Sequence, residues 1–225
     1  MVNYFSLKVL REIFLYSVNQ TEDDQLTVTR LKSWLDHVDI NYEILFDLVY
    51  QERFQPAYGC LLGFFYHFGL GCEVDKPTAV KWYRIAAEGG DTFAQTKIGT
   101  FYLCGTEVEF NPEKAFYWYE KAAEKGDDMG VICLAHCYLH GSGVSVNNEK
   151  AFTLFKELAD IGNCHSQNDV GYCYHQGIGT KSDPRKGFYW YQKSALGGNN
   201  TGMYNLANCY RYQWATMKDM HQALK

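Results

Sequence analysis

The chain has 225 residues, 16% of them aromatic, and a net charge of −5 from 21 basic and 26 acidic side chains. No run of lysine or arginine is long enough to track a phosphate backbone, and no stretch approaches the ~18 consecutive apolar residues of a membrane span, which sets aside nucleic acid and membrane as partners. Lys8, Arg11 and Glu12 break the first apolar stretch, which argues against a signal peptide and points to the cytoplasm.

Residues 1–55 keep no period. Phe5, Val9, Ile13 and Phe14 suit one amphipathic helix, Val28, Leu31, Trp34, Leu35 and Val38 a second, and Tyr42, Leu45, Leu48 and Val49 a third. An atypical helical segment ahead of a repeat array covers the apolar face of the first repeat, so these residues are predicted to form an N-terminal helical cap.

Residues 56–225 repeat. Tyr66, Tyr102, Tyr138, Tyr174 and Tyr210 recur every 36 residues without slippage. Leu62, Ile98, Leu134, Val170 and Leu206 stand four residues before each tyrosine. Gly63, Gly99, Ala135, Gly171 and Ala207 form a small-residue column next to them. Ala79, Ala115, Ala151, Gly187 and Ala223 form a second small column, and Trp82, Trp118, Leu154 and Trp190 a bulky one. A period of ~20–50 residues marks a solenoid, whose units bury their apolar faces only by stacking on one another. The predicted units are 57–93, 94–129, 130–165, 166–201 and a partial 202–225.

Each unit reads as two helices. Ala94, Ile98, Gly99 and Tyr102 share one helical stripe, and Gly105 ends that helix, as Gly69, Gly141 and Gly177 do in their units. Asp75, Asn111, Asn147, Asp183 and Asp219 then supply N-cap oxygens for a second helix, with Pro112 and Pro184 just inside it. That helix runs through Ala115, Tyr119, Ala122 and Ala123 and stops at Gly126, in a column with Gly90, Gly162 and Gly198. Asp91, Asp127, Asn163 and Asn199 follow and cap the next first helix.

The eight cysteines do not read as a disulfide framework. Cys137, Cys173 and Cys209 hold the position where Phe65 and Phe101 stand in earlier units, and a position that accepts either residue is an apolar packing site. Reduced thiols are expected.

The unit from Ala94 to Gly126, with its Lys-Ala-Phe-Tyr-Trp-Tyr-Glu-Lys-Ala-Ala-Glu-Lys-Gly second half, closely resembles a Sel1-like repeat. Gly141-Ser-Gly143, Lys150-Ala151 and Ala159 keep the pattern in the third unit. Gly171, Tyr174, Gly177-Ile-Gly179, Trp190-Tyr191 and Ala195 keep it in the fourth. The third unit departs with Leu154-Phe155 in place of Trp-Tyr, and the first with Tyr58 in place of a small residue. The resemblance implies an all-α, right-handed α/α superhelical solenoid related to tetratricopeptide arrays, acting as an adaptor or assembly scaffold. The phrasing is also similar to Sel1-like sets of fungi, whose arrays often follow a protein-kinase domain. No kinase signature occurs here.

The residues offer four sharper readings. Cys133, Cys137 and His140 share a helix face near His136, as a zinc site requires, but Cys137 belongs to the packing column and no C-x-x-C partner exists, so no metal is expected. Gly69-Leu-Gly71, Gly141-Ser-Gly143 and Gly177-Ile-Gly179 lack the strand and third glycine of a phosphate cradle and read as loops. Some secreted relatives of the repeat are described as β-lactamases, but no S-x-x-K, S-D-N or K-T-G occurs, and neither a catalytic residue nor a cofactor is expected.

The fourth reading is a peptide groove. First helices line the concave face of tetratricopeptide-like arrays, and their non-packing positions include Phe64 and His67 in the first unit, with Thr100 and Leu103 in the second. The third supplies His136, Leu139 and His140, the fourth Asn168, Tyr172 and His175, and the fifth Asn208 and Arg211. Phe93 and Tyr204 belong to the same set. It is rich in aromatics and histidine and poor in charge, which suits an extended peptide or a partner helix. Protonating its histidines near pH 6 is expected to favour acidic ligands. The expected function is a monomeric, non-catalytic scaffold for a protein or peptide partner. The alternative is the regulatory or substrate-docking arm of a signalling protein, such as a kinase, with its catalytic domain elsewhere.

Overall fold

A computed structural model describes residues 9–14, 24–37, 41–53 and 55–212, and every regular element among them is a helix. Two units divide the chain, Met1–Gly130 and Val131–Lys225. The first holds a helical segment at 9–14, then α1 (Asp24–His37), α2 (Tyr42–Gln51), α3 (Pro56–Phe68), α4 (Lys76–Glu88), α5 (Thr92–Cys104) and α6 (Pro112–Glu124). Helix α7 (Asp128–His140) starts at its end. The second holds the rest of α7, then α8 (Asn148–Asp160), α9 (Cys164–Gln176), α10 (Pro184–Leu196) and α11 (Asn200–Arg211). Consecutive helices pack as hairpins, α3 on α4 and α5 on α6 in the first unit, α9 on α10 and α10 on α11 in the second. This is an all-α, α/α solenoid architecture.

The helix boundaries follow from cap chemistry. The Asp91 carboxylate accepts the Ala94 N–H at 2.9 Å at the start of α5, and Asn163 accepts from His165 and Ser166 at the start of α9. Second helices are capped alike, by Asp75 from Thr78 N–H, Asn111 from Lys114 N–H and Asn147 from Lys150 N–H. Each such bond satisfies a first-turn donor that has no partner inside the helix. Pro112 and Pro184 open α6 and α10, where a missing N–H is harmless. First helices end at a left-handed residue: Gly177 has φ 76° and donates its N–H to the Cys173 carbonyl, which a side chain at that φ would oppose.

The tyrosine column has a backbone role that the side chains do not advertise. The N-cap residues Asp75, Asn111, Asn147 and Asp183 donate their own N–H to the carbonyls of Tyr66, Tyr102, Tyr138 and Tyr174 at 2.8–2.9 Å. One bond per repeat thus closes the loop between the two helices of a hairpin. The rings are covered by lysines twelve residues on, Lys114 over Tyr102 at 5.2 Å, Lys150 over Tyr138 at 4.3 Å and Lys186 over Tyr174 at 5.3 Å. Tyr210 is 51% exposed.

Within each unit the core sits between the helices that pack on one another. Ala79, Ala115 and Ala151 are fully buried, and Gly63, Gly99 and Gly171 face the rings of Tyr83, Tyr119 and Tyr191. Cys137, Cys173 and Cys209 are as buried as Phe65, and none of the eight cysteines is in a disulfide. Burial pushes these three thiols up to about 11, about 12 and about 11 respectively, with Asp169 adding to the rise at Cys173. In the first unit Val28, Leu31 and Leu35 of α1 and Leu45 and Val49 of α2 join the core of α3. Phe5, Val38, Asp219 and Ala223 lie outside the described residues.

Candidate functional site

The non-packing positions of the first helices differ between the two units. In the first, Phe64 is fully buried, its ring 4.9 Å from Phe14 and 4.7 Å from Phe68, and so belongs to the core rather than to an open face. His67 is half-buried, stacked on Phe101 with centroids 5.7 Å apart and planes within 6°. The Thr100 hydroxyl donates to the Thr96 carbonyl at 3.0 Å and accepts from the Tyr119 hydroxyl at 3.2 Å, so it braces α5 against α6. Leu103 is half-buried.

In the second unit most of the same positions are polar, and several are more open. His136 Nε2 lies 3.6 Å from Asp169 Oδ2, and its ring stacks parallel to that of exposed His140 at 5.9 Å. Leu139 is half-buried beside them. Asn205 of α11 donates its amide to the Asn168 side-chain oxygen at 2.8 Å, tying α9 to α11. Asn199 makes a second tie. Its oxygen accepts the Gly202 N–H, so its amide must donate to His165 Nδ1, 2.8 Å away, and that nitrogen is the unprotonated one. His175 is half-buried with Nδ1 3.0 Å from the Gln176 amide, and burial lowers its pKa. Tyr172 is 44% exposed, Asn208 is half-buried and Arg211 is exposed.

Sequence reasoning missed two features of this unit. Met203 of α11 is 47% exposed, one residue before Tyr204, which is 67% exposed. The polar ties were also missed, although their partners are 34 and 37 residues apart, close to one repeat. Polar pairs at about the repeat spacing were the available signal. Among the described residues no three His, Cys, Asp or Glu side chains converge as metal ligands, and Cys137 lies buried away from any such cluster. No helix among them is long and apolar enough to cross a membrane.

The Sel1 repeat family model matches residues 60–91, 92–127, 133–163, 164–199 and 201–225. The chain belongs to the Sel1 repeat family. Among solved structures it is similar to a Sel1 repeat protein from Oxalobacter formigenes, at 29% identity and TM-score 0.75, over 87% of this chain and 83% of that one. It is also similar to c5321, a protective antigen of uropathogenic Escherichia coli displaying an SLR fold, at 26% identity and TM-score 0.65. That likeness takes in 92% of this chain and 41% of the antigen, so the chain spans less than half of that protein. No curated protein matches the chain.

Sel1 repeats are generally protein–protein interaction modules, and proteins built from them are typically non-catalytic scaffolds. Within this Sel1 array the periodic positions carry caps, glycine stops and core. The positions free of that duty are those in which the two units diverge: Phe64 is buried in the first, and Tyr172, Tyr204 and Arg211 are exposed in the second.

Proposed function

We propose that this Sel1 repeat protein is a non-catalytic adaptor that takes a peptide or a partner helix on the face formed by α9 and α11. One observation carries the reading: Tyr172 and Tyr204 leave 44% and 67% of their surface exposed on neighbouring first helices. Tyrosines exposed on neighbouring helices are side chains of the kind that commonly anchor interfaces. Around them Asn208, Gln176 and Arg211 offer amide and guanidinium groups that suit a peptide backbone or a carboxylate. His136 and His140 lie on α7 in the same unit, their rings stacked parallel at 5.9 Å. Affinity capture from the source cells with wild-type protein and with Tyr172→Ala/Tyr204→Ala tests the reading. One partner retained by the wild type and lost by the folded variant supports it; identical partner sets contradict it.

A further inference from the structure

The first-helix face of the unit Met1–Gly130 already has an occupant. Residues 9–14 are helical, and Leu10 and Phe14, four residues apart and so on one helix face, are each 1% exposed. The Phe14 ring meets Phe64 of α3 at 4.9 Å and Phe93 of α5 at 5.6 Å, edge-on in both cases. One side chain therefore bridges two successive first helices, with Ile13 packed beside it.

The repeat makes an internal comparison possible. Phe64 stands where the fourth unit has Tyr172, and Phe93 where it has His165. Phe64 is fully buried while Tyr172 is 44% exposed, although both are aromatic and share a register position. What differs is what lies on Phe64: the ring of Phe14 at 4.9 Å from the segment, and the ring of Phe68 at 4.7 Å where the fourth unit has Gln176. That segment does not close the end of the stack, because α2 does so: Phe46 packs on Phe65 and Tyr66, and Gly71 abuts the Tyr42 carbonyl. Helix 9–14 lies instead across the face at which a partner would bind. Arg11 and the α5 N-cap Asp91 both act on the buried Cys60 thiol, in opposite directions, so a basic side chain of the segment lies within electrostatic reach of the same group as the cap carboxylate.

We propose that residues 9–14 are a resident ligand. The face of α3 and α5 is a helix-binding site held in cis by Leu10 and Phe14. The partner that it fits in trans is an amphipathic helix with an aliphatic residue and a phenylalanine four apart and a basic residue next to the aliphatic one. This inference is independent of the α9–α11 face, and either can fail without the other.

The test uses the full chain, as wild type and as Leu10→Ala/Phe14→Ala, with a fluorescein-labelled peptide of residues 5–18 as the probe. Anisotropy is expected to show the variant binding the peptide about tenfold tighter or more than the wild type, whose site is mostly filled. The peptide should raise the melting temperature of the variant, and a peptide lacking both anchors should do neither. Equal binding to both proteins, or no binding to a folded variant, overturns the proposal. So does a variant that fails to fold and is not restored by the peptide, since the helix is then an inseparable part of the core. A dimeric wild type with a monomeric variant would place the helix on a second copy and overturn the assignment in cis.

Discussion

A methyl group added at Gly99 would lie 2.6 Å from the ring of Tyr119, whose hydroxyl is held by Thr100 at 3.2 Å. The third repeat carries Ala135 and Phe155 at these two places, a methyl group paired with a ring that has no hydroxyl. Gly99→Ala alone is therefore expected to destabilise by about 1–3 kcal/mol, as overpacking does. With Tyr119→Phe, which unties the ring, the two costs should sum to less than their separate values in a double-mutant cycle by chemical denaturation. Strict additivity would mean that ring and methyl group do not compete for one space.

Asp75 supplies a second test at the scale of single residues. Hydrogen bonds from the Thr78 side chain and backbone N–H hold its carboxyl below the usual aspartate range. The group is more acidic folded than unfolded, so its stabilisation is present above the ordinary value of about 3.9 and is lost as pH falls through the lowered folded value. Asp75→Asn keeps the cap oxygen without the titration. The melting temperature of wild type minus variant should be constant above about pH 5 and fall below about pH 4. A difference that stays flat from neutral pH into that acid range would show that the cap works without its charge.

At the scale of elements, helix limits were legible because caps and stops are local chemistry. Asp91, Asn111, Asn147 and Asn163 bond the N–H groups that their spacing predicts, and Gly105 and Gly177 take the left-handed conformation at the helix ends. Burial along the first helices was not legible, because it depends on what lies over them. Phe64 reads as a groove residue from its register and is core, packed by Phe14 of a non-periodic segment and by Phe68 of its own helix. Asn168 reads as a contact for a partner and bonds Asn205 of the next first helix, a contact that only the packing of α9 on α11 creates. The cysteine column was readable as packing, and it makes a prediction of its own. Under native conditions at neutral pH, a thiol reagent should modify exposed Cys104 quickly and Cys137, Cys173 and Cys209 only through opening of their helices. Mass mapping that finds all four modified at one rate would mean that the helices do not hold these thiols in the core.

For the whole molecule, the 36-residue period separates what maintains the array from what distinguishes one repeat from another. Caps, stops, small columns and lysine-covered tyrosines recur in both units. The first-helix positions do not, and a partner is expected to read them. A calorimetric titration of the captured partner against three proteins measures this most directly. They are the wild type, Tyr172→Ala/Tyr204→Ala on the first-helix face, and Ile161→Ala/Leu196→Ala at the ends of second helices, where the side chains are 76% and 82% exposed. Binding should weaken by about tenfold or more for the first variant, as for interface anchors, and stay at the wild-type value for the second. Equal weakening in both, or weakening only in the second, would contradict the account.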